Sequence, residues 1–151
     1  LNHGQLRLRR TRVIRNQGLE SAGGIANGGD AHIEDCIIAG NLTIDRPGSG
    51  ISNTGTLLLT DSIVRENDTH QGGGGIYNVG TATIRRTRID HNSAAKSGGG
   101  LLNEGAASTR RSWVHHNDSR TGEGGGIYNV GGLERHKLWM WKNVPNDCTG
   151  C

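Results

Sequence analysis

An Asn-x-Gly tripeptide recurs at Asn2, Asn27, Asn53, Asn78, Asn103 and Asn129, in steps of 25, 26, 25, 25 and 26 residues. A second asparagine, 14 or so positions further on, keeps the same beat at Asn16, Asn41, Asn67, Asn92, Asn117 and Asn143. Two columns in phase along a whole chain mark a repeat architecture, in which each unit buries its apolar side against its neighbours. The repeat therefore decides the fold class before any local propensity is weighed.

Within each repeat the apolar positions alternate with a period of two, as strands do. One column reads Ile25, Ile51, Ile76, Leu101, Ile127; another Leu6, Ala31, Leu57, Ala82, Ala107, Leu133. Further along lie Leu8, Ile33, Leu59, Ile84, Thr109 and Arg135, then Thr11, Cys36, Ser62, Thr87, Ser112 and Leu138, then Val13, Ile38, Val64, Ile89, Val114 and Met140. No segment carries the 3.6-residue spacing of a helix. A propeller blade needs about 40 residues, and a leucine-rich repeat a denser leucine pattern. Three short strands separated by tight bends do match the length. The expected fold is all-β, a right-handed parallel β-helix of about six coils. Residues 1–151 form one solenoid, with 144–151 as an irregular C-terminal tail. Composition agrees: with 32% hydrophobic residues, 26 glycines and no Phe, a two-layer core is hard to fill, while a slim solenoid is not. The asparagine columns are expected to satisfy backbone groups at bends and to bond the Asn above and below. The glycine runs before each Ile (23–24, 72–75, 98–100 and 124–126) are expected to supply positive φ at another corner.

The strings GGGGIYN (72–78), GGGLLN (98–103) and GGGIYN (124–129) resemble the GGxI half of the chlamydial polymorphic outer-membrane protein repeat. VIRN (13–16), VREN (64–67), IDHN (89–92) and VHHN (114–117) resemble its FxxN half, with Val or Ile in place of Phe. The chain is closer still to the GGGIYN-repeat β-helices of large bacterial cell-surface proteins. That resemblance covers essentially the whole chain. It implies a right-handed parallel β-helix, an extracellular or cell-surface location, and adhesive or structural roles, and it carries over no catalytic residue.

Parallel β-helices also include polysaccharide lyases and hydrolases, which need clustered acids with Lys or Arg on one sheet. Here Glu34, Asp35, Asp61, Glu66 and Asp90 are dispersed by coil, and solvated turns account for them. His91, His115 and His116 are brought together by the repeat, yet no metal set and no cofactor is expected. A basic stripe at Arg9-Arg10, Arg85-Arg86, Arg110-Arg111 and His136-Lys137 is interrupted by Glu34-Asp35 and Thr60-Asp61. Such a stripe suits an acidic polysaccharide or another subunit. Trp113 and Trp139 should stack on adjacent coils above Arg88, as a sugar platform or a protein contact. Net charge of +3 and sparse aromatic residues argue against nucleic acid, and no apolar run is long enough to span a membrane. Asn41, Asn67 and Asn117 fall in N-x-[ST] sequons and would carry glycans only if their amides face outward.

Cys36 reads as a small buried hydrophobe, while Cys148 and Cys151 can pair with each other or with another molecule. A terminal disulfide suits an extracellular compartment. The chain opens on Leu1, which reads as a processed product or a piece of something longer. Arg135 in an inward column and the heavy Trp139-Met140-Trp141 suggest a register slip or a cap in the last coil. The near-whole number of coils suggests head-to-tail stacking of copies, since open strand edges template association. The leading expectation is a non-catalytic structural segment of a filament or adhesin, with copies of itself or host and matrix glycans as partners. The alternative is a carbohydrate-binding module or a lyase or hydrolase of the β-helix class.

Overall fold

A computed structural model of the chain describes residues 1–19 and 21–151. It is the expected parallel β-helix. The fourth coil shows the pattern: strands Ile76–Asn78, Thr81–Arg85, Arg88–Asp90 and Ser93–Ala94, with bends between them. Equivalent strands stack into three parallel sheets of ten, five and six strands. In the fifth and sixth coils the second and third strands run together as Ala106–His115 and Gly132–Trp141. The right-handed sense follows the rule for crossovers between parallel strands.

Register is kept through every coil. Ile76 lies between Ile51 and Leu101, and Ile84 between Leu59 and Thr109. In the last coil Thr109 pairs Arg135 and Val114 pairs Met140, so there is no slip. Arg135 sits in its inward column at the open end of the stack, where it is exposed and its guanidinium donates to the Cys151 carbonyl. The inward aliphatics form one axial core, with Ile33, Ile51, Leu59, Ile76, Ile84, Ile89, Leu101 and Ile127 fully buried. Leu6, Leu8 and Val13 in the first coil and Leu133, Leu138 and Met140 in the last are only partly covered.

Three side-chain ladders run beside this core. In the first, each Asn amide donates to the Asn of the next coil, Asn27 to Asn53, Asn53 to Asn78 and Asn78 to Asn103, all at 2.7 Å. In the second, Asn41–Asn67, Asn67–Asn92 and Asn92–Asn117 are linked at 2.9, 2.9 and 3.0 Å, and each Oδ1 also accepts from the backbone N–H of the preceding coil's Asn. The third was not foreseen. Ser62, Thr87 and Ser112 each donate to the carbonyl two residues earlier and accept a backbone N–H from the preceding coil. Cys36 belongs to this ladder, its thiol directed at the Glu34 carbonyl, so it does hydrogen-bonding work beyond filling space.

Backbone conformation departs from expectation in an instructive way. Three of the four glycine runs have one member with positive φ, Gly73, Gly98 or Gly124, and the run 23–24 has none. The left-handed corners are instead two columns of charged residues. One is Arg10, Asp35, Asp61, Arg86, Arg111 and Lys137; the other is Arg15, Glu66, His91, His116 and Lys142, with Gly40 in the second coil. These φ values lie between 47° and 63°, a region that costs an L-residue about 1–2 kcal/mol. A charged side chain is tolerated there because it projects into water, and Gly40 shows that glycine fits. Lys142→Gly is expected to raise stability by about 0.5–1 kcal/mol, and Lys142→Val to lower it by about 1–2 kcal/mol, in urea unfolding. Equal midpoints for the two variants would contradict this account.

The C-terminal tail is more ordered than expected. Val144 bridges to Asp118, and strand Cys148–Thr149 pairs with Ile127 and Tyr128. Asp147 Oδ1 takes the place of a further Asn, accepting from the Asn143 backbone at 3.1 Å and its amide at 2.7 Å. The Gly150 carbonyl ends the other ladder by accepting from Asn129. Cys148 and Cys151 form a disulfide across this turn, while Cys36 is free and buried.

Candidate functional site

Outward side chains of a solenoid form columns, because each lies one strand spacing from its equivalent. One sheet face collects unusual chemistry this way. Its first column reads Arg12, Ile37, Ile63, Arg88, Trp113, Trp139, and its second Ile14, Ala39, Arg65, Asp90, His115, Trp141. Trp113 and Trp139 stack as expected, with ring centroids 5.5 Å apart and planes 16° from parallel. A second stack was not foreseen: His115 lies 4.2 Å from Trp141. The signal for it was the two-residue spacing of Trp139 and Trp141, which puts both on one face of a strand. All three indoles remain over a third exposed, at 38, 45 and 37%.

The aromatic stacks rise beside a hollow of about 420 Å³. Ile63, Arg86, Arg88, Trp113, His115 and Trp141 are among the residues that line it. Arg88 is directly beneath Trp113. Its Nε donates to Asp90 Oδ1 at 2.9 Å, and Asp90, only 4% exposed, meets His91 Nδ1 with its other oxygen at 2.8 Å. Holding Nε leaves the two terminal nitrogens of the guanidinium for other partners.

The basic stripe sits at the corner flanking this face. Arg85 pairs in register with Arg110, and Arg110 with His136. The interrupting acids are not idle. Asp35 meets Arg10 at 3.4 Å, Glu34 meets Arg9 at 3.7 Å, and Asp61 forms a two-point bond with Arg86, both at 2.6 Å. That bond, ahead of simple attraction to Arg86, holds the Asp61 carboxyl below its ordinary value. Among the described residues Arg85, Arg110 and Arg111 make no ion pair. The cationic end of the stripe is therefore at the fourth to sixth coils, next to the tryptophans.

Burial is the main reason the His115 imidazole is held below its ordinary value. Asp90 opposes the shift, while His116, Arg88 and His91 reinforce it. Because the folded value is depressed, the unfolded chain takes up a proton first as pH falls below 6.5. Native stability is then expected to decline from that pH downward, before carboxylates titrate. Thermal unfolding of wild type and His115→Gln across this window checks it, since the variant should lack the slope. His91 stacks on His116 at 5.0 Å, and His115 and His116 bring their Nδ1 atoms to 2.8 Å. No group of three metal-ligating side chains suited to an ion is found among the described residues.

The sequon asparagines Asn41, Asn67 and Asn117 are buried at 1% exposure or less, and their amides donate inside the ladder. Reaching them with a glycan would mean breaking the ladder, so the folded chain presents no acceptor there. On another sheet Tyr77 donates to Glu104 at 2.6 Å, and burial, with that bond, pushes its phenol up to about 12. Among the described residues no helix is long and apolar enough to cross a membrane. Comparison of the chain with protein-family models, with curated proteins and with solved structures finds no match.

Proposed function

We propose that this chain is a non-catalytic extracellular structural protein, a β-helix subunit or segment of a filament or surface adhesin. The observation that supports it most is the constancy of the coils. Strand register, core columns and three hydrogen-bonded ladders repeat with almost no insertion, the pattern of a rod whose length, more than any cleft, is its useful property. Among the described residues the strand Gly132–Trp141 pairs only with Ala106–His115, so its other edge displays parallel donors and acceptors. Another coil or copy fits that edge by continuing the ladder, a non-closing contact that builds a fibre. Asp147 closes one asparagine ladder from outside this strand and takes no place in its register. The Cys148–Cys151 disulfide suits an oxidising, extracellular setting.

Electron microscopy of the purified chain, with sedimentation at increasing concentration, tests this. Elongated particles or filaments that lengthen with concentration are expected. A compact, monodisperse monomer at all concentrations would overturn the filament reading.

A further inference from the structure

The hollow below Trp113 combines features that recognise one kind of ligand. Ile63 and Trp113 give its lining an aliphatic side chain and an indole, and between them in the column stands Arg88, whose Nε is held while its terminal nitrogens make no hydrogen bond among the described residues. A sugar ring offers the matching surface, with an apolar C–H face for an aromatic wall and polar edges for donors. The cationic corner formed by Arg85, Arg110 and Arg111 lies alongside, and Arg86 at the rim is already matched by Asp61. A neutral sugar has no use for this excess positive charge. An anionic one does, because the arginine fork binds carboxylate or sulfate oxygens in pairs. Arg88 is also pre-positioned: the nearly buried Asp90 holds its Nε, so ordering the side chain costs little on binding.

We infer that this hollow is a binding site for an anionic glycan, with Trp113 and Ile63 against the ring and Arg88 on the acidic group. Arg110 and Arg111 extend the contact along the chain of the polymer, across coils of the same corner. The inference rests on the adhesin half of the reading above, and gives that adhesin its ligand class. Trp139 and Trp141 stack on Trp113 and His115 from the next coil.

Calorimetry and affinity electrophoresis with polygalacturonate, heparin and neutral dextran test it. Binding to polygalacturonate or heparin but not to dextran is expected; binding to polygalacturonate shows that a carboxylate suffices, and binding to heparin alone shows that sulfate is required. Trp113→Ala and Arg88→Gln should each weaken that binding about tenfold, with an unchanged circular dichroism spectrum. The Arg110→Gln/Arg111→Gln pair should lower affinity more at low salt than at high salt. Failure to bind either anionic polymer would overturn the site, as would equal binding to dextran. Binding that ignores Trp113→Ala and Arg88→Gln while following Arg110 and Arg111 would also overturn it, leaving only a charged corner. Rods by microscopy without glycan binding sink this site and leave the structural reading standing. Glycan binding by compact monomers does the reverse.

Discussion

Asn92→Ala is expected to remove about 4 kcal/mol of folding stability, the largest single effect anticipated for a polar residue of this chain. Asn92 lies in the middle of the second ladder, 1% exposed. Its amide donates to the Val64 carbonyl and to Asn117 Oδ1, both at 3.0 Å, and its Oδ1 accepts the Asn67 backbone N–H at 3.1 Å and the Asn67 amide at 2.9 Å. Alanine cuts all four bonds. The Asn67 N–H and the Val64 carbonyl are then buried without that partner, and each orphaned group costs about 1–3 kcal/mol. A domain of this size has only about 5–15 kcal/mol in total, so the variant should lose a quarter or more of its stability and unfold at a much lower urea concentration. A loss under about 1 kcal/mol in urea titration would mean that water replaces the amide and that the ladder is ornamental.

Asn92→Asp refines the test. The aspartate keeps an acceptor for Asn67 but turns its other oxygen toward two acceptors, Val64 O and Asn117 Oδ1. Only the protonated acid suits that place, so its folded pKa must rise above the unfolded value of about 3.9. The stabilisation from the neutral acid is then present at acid pH and lost as pH rises through the folded pKa. The aspartate variant should therefore recover relative to Asn92→Ala on acidification, and a parallel response of the two would contradict the ladder geometry.

Gly100→Ala is the second large effect, expected at about 3 kcal/mol of lost stability. Gly100 has no positive φ, so strain at its own backbone is not the issue. A Cβ there would lie 2.6 Å from the Gly126 carbonyl oxygen and 3.0 Å from the Asn117 amide nitrogen. That carbonyl accepts the Leu101 N–H at 2.9 Å, so it cannot retreat without breaking a rung. Gly132→Ala is the control, because nothing lies within 4 Å of a Cβ at that position. It should change stability by no more than about 0.5 kcal/mol. Equal effects at the two glycines would mean the coils are free to move apart.

The contrast between these glycines marks what could be read from residue order. The 25-residue beat, the inward columns and both asparagine ladders are legible in sequence, because a coil of fixed length puts residues of the same repeat position directly above one another. Stacking of Trp113 on Trp139 followed from the same arithmetic. The glycine runs were legible as a feature but not in their purpose, since crowding between carbonyls of adjacent coils depends on how closely the coils approach. The two left-handed corner columns were invisible for a related reason: Arg, Glu and Lys carry no sequence signal for positive φ, Asp and His only a weak one, and the bend imposes it.

The candidate site divides the same way. Columns placed Arg88, Trp113 and the basic corner on neighbouring coils, which sufficed to nominate them. The pairing of Asp61 with Arg86, the clamp of Asp90 on Arg88 and the stack of His115 on Trp141 depend on rotamers and burial, which spacing does not report. Asp147 as the end of a ladder was likewise hidden, because it lies four residues beyond Asn143 and not one repeat away. The sequence by itself determined the architecture, since periodicity and parallel stacking leave one solution. Only the tertiary structure decided which polar groups are matched and which stay open, because that depends on distances of a few ångströms between coils.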